Sequence, residues 1–156
     1  MNVVRSAGSL LITIALLGCG GNGGRVSFDQ FYDGTLSSGD PTSNGYYYDT
    51  YTFVADESGN KTFGMTSNNI DSYLVLEDEN GNVIREDDDS GEGHDAQIRY
   101  YLQRDRTYYL LATSYSTFDT GTYTIGWQNG VTLVDVDDRS PAPKAKADFK
   151  PRPPKK

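Results

Sequence analysis

Short runs of alternating apolar and polar residues, rich in Tyr, Thr, Val and Phe, follow one another along the middle of the chain. Gly, Asn and Asp separate the runs at intervals of about ten residues, and no stretch shows apolar residues at helical spacing. The pattern predicts an all-β fold, an antiparallel jelly-roll β-sandwich of about eight strands. The predicted strands are 26–32, 46–55, 60–67, 72–78, 82–88, 95–103, 107–115 and 121–128.

The sequence predicts two hairpins, and their turns determine which residues are expected to pair. Asn80-Gly81 is the strongest short hairpin signal, since a type I′ turn needs positive φ at both central residues. This turn would pair Leu76 with Arg85 and direct Val83 to the same face as Leu76.

The segments 96–103 and 107–113 are predicted to form the second hairpin, around the loop 104–106. Its outward row would place Tyr101 beside Tyr109. Outward aromatic side chains can stack on sugars or on a collagen-like rod, because they offer a large contact area at low entropy cost. The alternative is that the two rings only stabilise the sheet as a cross-strand pair.

The amino-terminal segment 1–18 is predicted to be a secretory signal, since its apolar run is too short to span a bilayer comfortably. Leu16-Leu17-Gly18-Cys19 is similar to the bacterial lipobox, in which the Cys is acylated. Residues 19–25 are a Gly-rich linker, and the Gly after Cys19 favours the outer membrane or the cell surface. The protein would then be held on a membrane by a lipid anchor at Cys19. The alternative is an ordinary signal peptide followed by an incidental Cys.

Charge divides the rest of the chain in two. Residues 20–138 hold six Lys or Arg against 21 Asp or Glu, whereas residues 139–156 hold seven against one. We predict a folded domain over 26–130 and a disordered, basic, Pro- and Lys-rich tail over 131–156. The acidic domain argues against nucleic acid as a partner. The tail would bind an anionic polymer, or else stay solvated and touch the acidic face of its own domain.

The length of 156 residues predicts a single domain, and the chain holds one Cys and one His. These counts remove most pairs of nucleophile and base and every zinc site that needs several Cys or His ligands. Catalysis would have to use carboxylates, and no apolar pocket is evident that would raise the pKa of one. The protein is therefore not expected to be an enzyme.

The Asn80-Gly81 register brings Asp71 and Asp87-Asp88-Asp89 to the open end of one hairpin. Carboxylate oxygens at this density suit calcium, so Asp71, Asp87, Asp88 and Asp89 are the candidate metal ligands. The alternative is that these residues cap turns through their own backbone. His94, in the following Gly-rich loop, is expected to be exposed.

An ordered set of motifs resembles a known family: Asp71-Ser72-Tyr73-Leu74-Val75-Leu76, Asn80-Gly81-Asn82-Val83-Ile84, Asp87-Asp88-Asp89-Ser90-Gly91, Thr107-Tyr108-Tyr109-Leu110 and Thr120-Gly121-Thr122-Tyr123. Together they are similar to the bacterial pre-peptidase C-terminal domain. The resemblance implies a jelly-roll accessory module of secreted peptidases, with relatives that bind collagen or polysaccharide, some with calcium. We expect no peptidase beside this domain within the 156 residues, so the module is expected to stand alone.

Two functions follow as hypotheses. The first is a non-catalytic module at the cell surface that binds or adheres to a polysaccharide or protein matrix and is stabilised by calcium. The second is a structural accessory domain of the envelope, which assists a secreted partner protein and has no ligand of its own.

Overall fold

A computed structural model describes residues 27–137 of the chain. The described residues do not include the predicted signal segment, the linker with Cys19, or the part of the predicted tail after residue 137. Within the described part, no helix is long and apolar enough to cross a membrane. The ten strands are β1 Gln30–Leu36, β2 Thr42–Ser43, β3 Tyr46–Ala55, β4 Gly59–Thr66, β5 Ser72–Glu77, β6 Val83–Asp87, β7 Ala96–Leu102, β8 Thr107–Ser114, β9 Gly121–Trp127 and β10 Val131–Asp137.

The strands form two antiparallel sheets, which confirms the predicted all-β sandwich. The smaller sheet has the order β1-β9-β4-β7. The larger sheet has the order β10-β3-β8-β5-β6, and β2 pairs with the start of β3. From β3 onward the chain changes sheet at every connection except the one between β5 and β6. Most strands that are neighbours in sequence therefore lie in opposite sheets.

The core lies between the sheets and is built on aromatic side chains from both. Phe53 of β3 packs against Phe63 of β4 and Trp127 of β9, with ring centroids 5.2 Å apart in each pair. Alternation along β3 and β9 predicts this inward row, because successive strand residues point to opposite faces. Tyr51 and Tyr123 are also buried there, as the alternation predicts.

The two Asn-Gly turns of the domain differ. Asn44-Gly45, between β2 and β3, has positive φ at both residues, as a type I′ turn requires. At Asn80-Gly81 only Gly81 has positive φ, so the predicted type I′ turn there is wrong. The loop closes with Gly81 N donating to Asp78 O, and a register shift follows in β5–β6. Leu76 still pairs with Arg85, but Val83 is exposed instead of inward.

The predicted hairpin between β7 and β8 is also wrong. β7 pairs with β4 in the smaller sheet, whereas β8 lies between β3 and β5 in the larger sheet. The turn at 103–106 carries the chain from one sheet to the other. Alternation places six residues on the inward row, and because both strands face the same core all of them are buried except Tyr100, which is half-buried: Ile98, Tyr100, Leu102, Tyr108, Leu110 and Ala112.

The ends of the predicted domain need two corrections. The first strand begins at Gln30, not residue 26, and runs through Asp33-Gly34. Gly34 pairs with Tyr123 within this strand, and a larger residue is excluded there because a Cβ would overlap the ring of Tyr123. The domain also extends past residue 130: Val131–Asp137 pairs with β3 and is not part of a disordered tail. A register shift between Leu133 and Asp135 interrupts the alternation, which hides this strand in the sequence.

Candidate functional site

One end of the sandwich gathers carboxylates from the loops that follow β6 and precede β5. Asp87 organises the longer of these loops. Its carboxylate accepts hydrogen bonds from Ser90 N at 3.0 Å, Ser90 Oγ at 2.5 Å and Gln97 N at 2.8 Å. Asp88 accepts a hydrogen bond from Asp89 N at 3.0 Å. Both residues thus do what Asp does at turns, which is to bind nearby backbone N–H groups.

Asp71 and Asp89 converge on His94. Their carboxylate oxygens lie 4.0 Å and 3.6 Å from His94 Nδ1, and the three ligand atoms are all within 4.8 Å of one another. The His94 side chain is 75% exposed, as predicted for this loop. Of the four predicted metal ligands, the structure brings Asp71 and Asp89 together and uses Asp87 and Asp88 to fold the loop. A protonated His94 would offset the repulsion between the two carboxylates.

A polar groove of about 450 Å³ lies beside these loops, on the outer face of the smaller sheet. Thr124 Oγ1 donates to Asp33 Oδ1 at 2.6 Å, and Thr122 Oγ1 donates to Asn69 Oδ1 at 2.7 Å. The threonine groove, as we name it, is lined by Asp33, Gly34, Thr35, Thr66, Ser67, Asn68, Asn69, Asp95, Thr122, Tyr123 and Thr124. Its walls therefore offer hydroxyl, amide and carboxylate groups.

Asp95 lines the groove and also belongs to the acidic loop, by which we mean residues 88–95 between β6 and β7. Burial raises the pKa of its carboxyl above the ordinary Asp value of 3.8, against the lowering effect of a hydrogen bond from the Ser67 backbone. The charge of Glu92 raises this pKa further, and that of His94 lowers it. Sequence reasoning did not select Asp95 as a site residue, because only the folded loops bring it beside Ser67.

A buried polar network lies on the inner side of the same sheet, opposite the groove. Tyr123 Oη donates to Asp49 and lies 2.7 Å from Tyr51 Oη. Burial raises the pKa of Tyr123 well above the ordinary tyrosine value near 10, and the neighbouring Tyr51 and Asp49 raise it further. The phenol therefore stays protonated and keeps donating to the carboxylate. Asp49 was not predicted as a buried acid, although strand alternation places it on the same inward row as Tyr51 and Phe53.

The two tyrosines predicted as a ligand-binding pair lie on different sheets. Tyr101, on edge strand β7, is 56% exposed on the outer face of the smaller sheet. Tyr109, on central strand β8, is only 7% exposed and packs with Tyr46, Tyr48, Val75 and Leu111. The expected juxtaposition of Tyr101 and Tyr109 is therefore wrong, because the hairpin that would have created it does not form.

Comparison of the sequence with protein-family models finds no match, and comparison with curated proteins finds none. Among solved structures, the fold is similar to the pre-peptidase C-terminal domain of collagenase from Bacillus anthracis, a crystal structure at 1.0 Å. The sequences are 22% identical, the TM-score is 0.50, and the similarity covers 64% of this chain and 88% of the other. The resemblance inferred from the motifs is thereby confirmed for the fold: residues 27–137 form a sandwich like the pre-peptidase C-terminal domain.

Proposed function

We propose that the protein is a non-catalytic binding module, and that the threonine groove binds a hydroxyl-rich ligand such as a surface polysaccharide or a matrix protein. The groove is the observation that carries this proposal. It combines the donors and acceptors of Thr, Ser and Asn with the carboxylates of Asp33 and Asp95 in one concave surface. A ligand rich in hydroxyl groups can both donate to and accept from such a surface.

Two matched threonines test the groove. Thr124 lines it and donates to Asp33, whereas Thr132 donates to Asp56 at 2.9 Å on the larger sheet, outside the groove. Each Thr→Val change removes one hydroxyl and one hydrogen bond to an Asp at similar cost to the fold. We expect Thr124→Val to weaken retention of the full chain on its preferred matrix about three- to tenfold, the worth of one hydrogen bond. Thr132→Val should leave retention unchanged.

The probes are insoluble chitin, cellulose, peptidoglycan and collagen, with the bound fraction measured by depletion. Equal retention of the two valine variants would show that the ligand does not bind in the groove. No retention on any of these matrices would favour the second hypothesis, a structural accessory domain without a ligand. Tyr101→Ala is a useful third variant, since this ring is the exposed member of the predicted pair.

Calcium is part of the proposal as a stabiliser of the acidic loop. Asp71 and Asp89 would supply oxygen ligands, and Asp87 would hold the loop in place. Millimolar calcium should raise the Tm of the protein by a few degrees, because a ligand that binds only the folded state stabilises it. Asp89→Asn should abolish this rise, whereas the control Asp56→Asn should keep it. An unchanged Tm in the unmodified protein would remove calcium from the proposal.

We also propose that a lipid at Cys19 holds this module at the outer membrane or cell surface. Support comes from the sequence alone, from the lipobox-like Leu16-Leu17-Gly18-Cys19. Mass spectrometry of the amino-terminal peptide, with Cys19→Ser as the control, would detect the acyl chains.

A further inference from the structure

The outer face of the larger sheet is unusual because it is closed to water. The tyrosine face, as we name it, consists of outward residues of β3, β5 and β8 that are all 7% exposed or less: Tyr46, Tyr48, Val75, Glu77, Tyr109 and Leu111. In an antiparallel sandwich the outer faces normally carry polar side chains in contact with solvent. Side chains this large and this well buried on an outer face indicate that something covers them.

No strand of the described domain provides that cover. The main contacts of β3, β5 and β8 are with their neighbours in the sheet, with β2 at one end, and with the opposite sheet across the core. Near β2, Phe118 packs on Tyr47, and at the same end Tyr115 packs on Tyr73. Leu111 and Val75 pair at the centre of the face, farther along the strands, and Glu77 is the last residue of β5.

We propose that the basic segment 139–156 of this chain binds across the tyrosine face. The segment contains five of the six prolines of the chain and seven Lys or Arg against one Asp. Pro-rich segments favour the extended polyproline II conformation, and grooves lined by aromatic rings are the surfaces that bind such segments. Tyr46, Tyr48 and Tyr109 supply the rings here.

Charge favours the same occupant. Glu77 lies on the tyrosine face, and Glu86 follows on the outward row of edge strand β6, opposite Val75. On the other edge, Asp135 is exposed beside Thr52. Glu79, near the end of β5, is paired with Arg106 at 3.1 Å. A segment rich in Lys and Arg would meet acidic side chains at the end of β5 and at both edges of this face.

The last described strand ends beside the tyrosine face, so the segment that follows has only a short distance to cover. β10 ends at Asp137, paired with Thr50 of β3 at the edge of the larger sheet. The face from β10 to β6 is about 19 Å wide at roughly 4.8 Å per strand. A proline-rich stretch of this length can extend roughly 50 Å. The segment therefore leaves the domain beside the face and is long enough to cross it without strain.

Tyrosine nitration followed by mass spectrometry tests the proposal, with Tyr101 as an internal control that is exposed in any case. In the full chain we expect Tyr46, Tyr48 and Tyr109 to react slowly and Tyr101 to react fast. Deleting residues 139–156 should raise the rates at the first three about fivefold or more, because their cover is lost. Adding the peptide 139–156 in trans should restore protection, and a peptide with Gln in place of every Lys and Arg should restore less.

A second variant covers the case in which the shortened chain does not fold. The full-length chain with its seven Lys and Arg of 139–156 changed to Gln keeps the prolines and the length. It should show intermediate protection, and high salt should make the unmodified chain resemble it. Unchanged slow nitration in both variants would overturn the proposal, and so would protection that disappears when a dimer dissociates on dilution, since a second copy would then be the cover.

Discussion

The two outer faces of the sandwich differ sharply, although each belongs to an antiparallel sheet. The smaller sheet presents the threonine groove and exposed Tyr101 to solvent, whereas the larger sheet buries Tyr109 and Leu111 on its outer side. Alternation makes one face of every strand point away from the core, but it does not decide whether that face meets water. Outward position and exposure are therefore separate properties, and a ligand site needs both.

Among the substitutions that test this difference between the two faces, Leu111→Ala should cause the largest loss of unfolding free energy. Leu111 is fully buried on the outer side of β8, between Thr50 and Val75. A covered leucine should cost about 2–4 kcal/mol of unfolding free energy when it is truncated. Tyr101→Ala, on the exposed face, should cost less than about 1 kcal/mol. Denaturant titration measures both, and similar small losses would mean that the tyrosine face is open to water.

An intermediate effect is expected at Tyr123, whose neighbours in sequence line the groove while its own ring points inward. Tyr123→Phe removes a donor to buried Asp49 and should cost about 1–3 kcal/mol at neutral pH. The folded state holds the Tyr123 proton well above pH 10, but the unfolded chain releases it near that value. The contribution of this proton to the unfolding free energy is thus lost as the pH rises above 10.

The Phe variant lacks this titration, so its deficit relative to the unmodified protein should shrink above pH 10. Unfolding free energies measured between pH 7 and 11 check this, and a constant deficit would show that Tyr123 does not titrate differently on folding.

The smallest effect should come from Asp95→Asn, on the exposed groove. Burial raises the folded-state pKa of Asp95, so its ionised form is slightly unfavourable in the folded protein. The contribution of Asp95 to the unfolding free energy should therefore fall as the pH rises above 3.8, and the Asn variant lacks this fall. At neutral pH we expect Asp95→Asn to be more stable by a few tenths of a kcal/mol, because solvent screens this site. Thermal melts at pH 3 and pH 7 would reveal the difference, and a loss of stability at pH 7 would show that the charge is favourable.

The candidate site was predictable only in part. Asp71 and Asp89 do meet at one end of the sandwich, because the strands around them were placed correctly from their alternation. Asp87 was selected for the same reason, but its oxygens are engaged by Ser90 and Gln97, and Gln97 lies on the opposite sheet. Which carboxylates converge and which hold a loop depends on backbone donors from distant segments, and local spacing does not report them.

The Asn-Gly dipeptide shows the limit of local turn signals. Asn44-Gly45 and Asn80-Gly81 have the same residues, yet only the first forms a type I′ turn. At the second, Asp78 Oδ1 accepts hydrogen bonds from Asn80 N and Asn82 N at 2.9 Å, so the loop closes around Asp78. The side chain that precedes the dipeptide competes for its backbone donors, and the register shift in β6 then turns Val83 to solvent.

Alternation in the sequence predicted eight of the ten strands and most of their inward rows, because side chains along an extended backbone point to opposite faces in turn; β2 and β10 were not predicted. It therefore identified Phe53, Ile98, Leu110 and Trp127 as core. Three features became known only from the fold: β7 and β8 belong to different sheets, Val131–Asp137 joins β3, and Tyr109 is buried while Tyr101 is exposed. Strand pairing and burial depend on hydrogen bonds and contacts between residues far apart in the chain, and a period of two residues is the same whichever partner a strand takes.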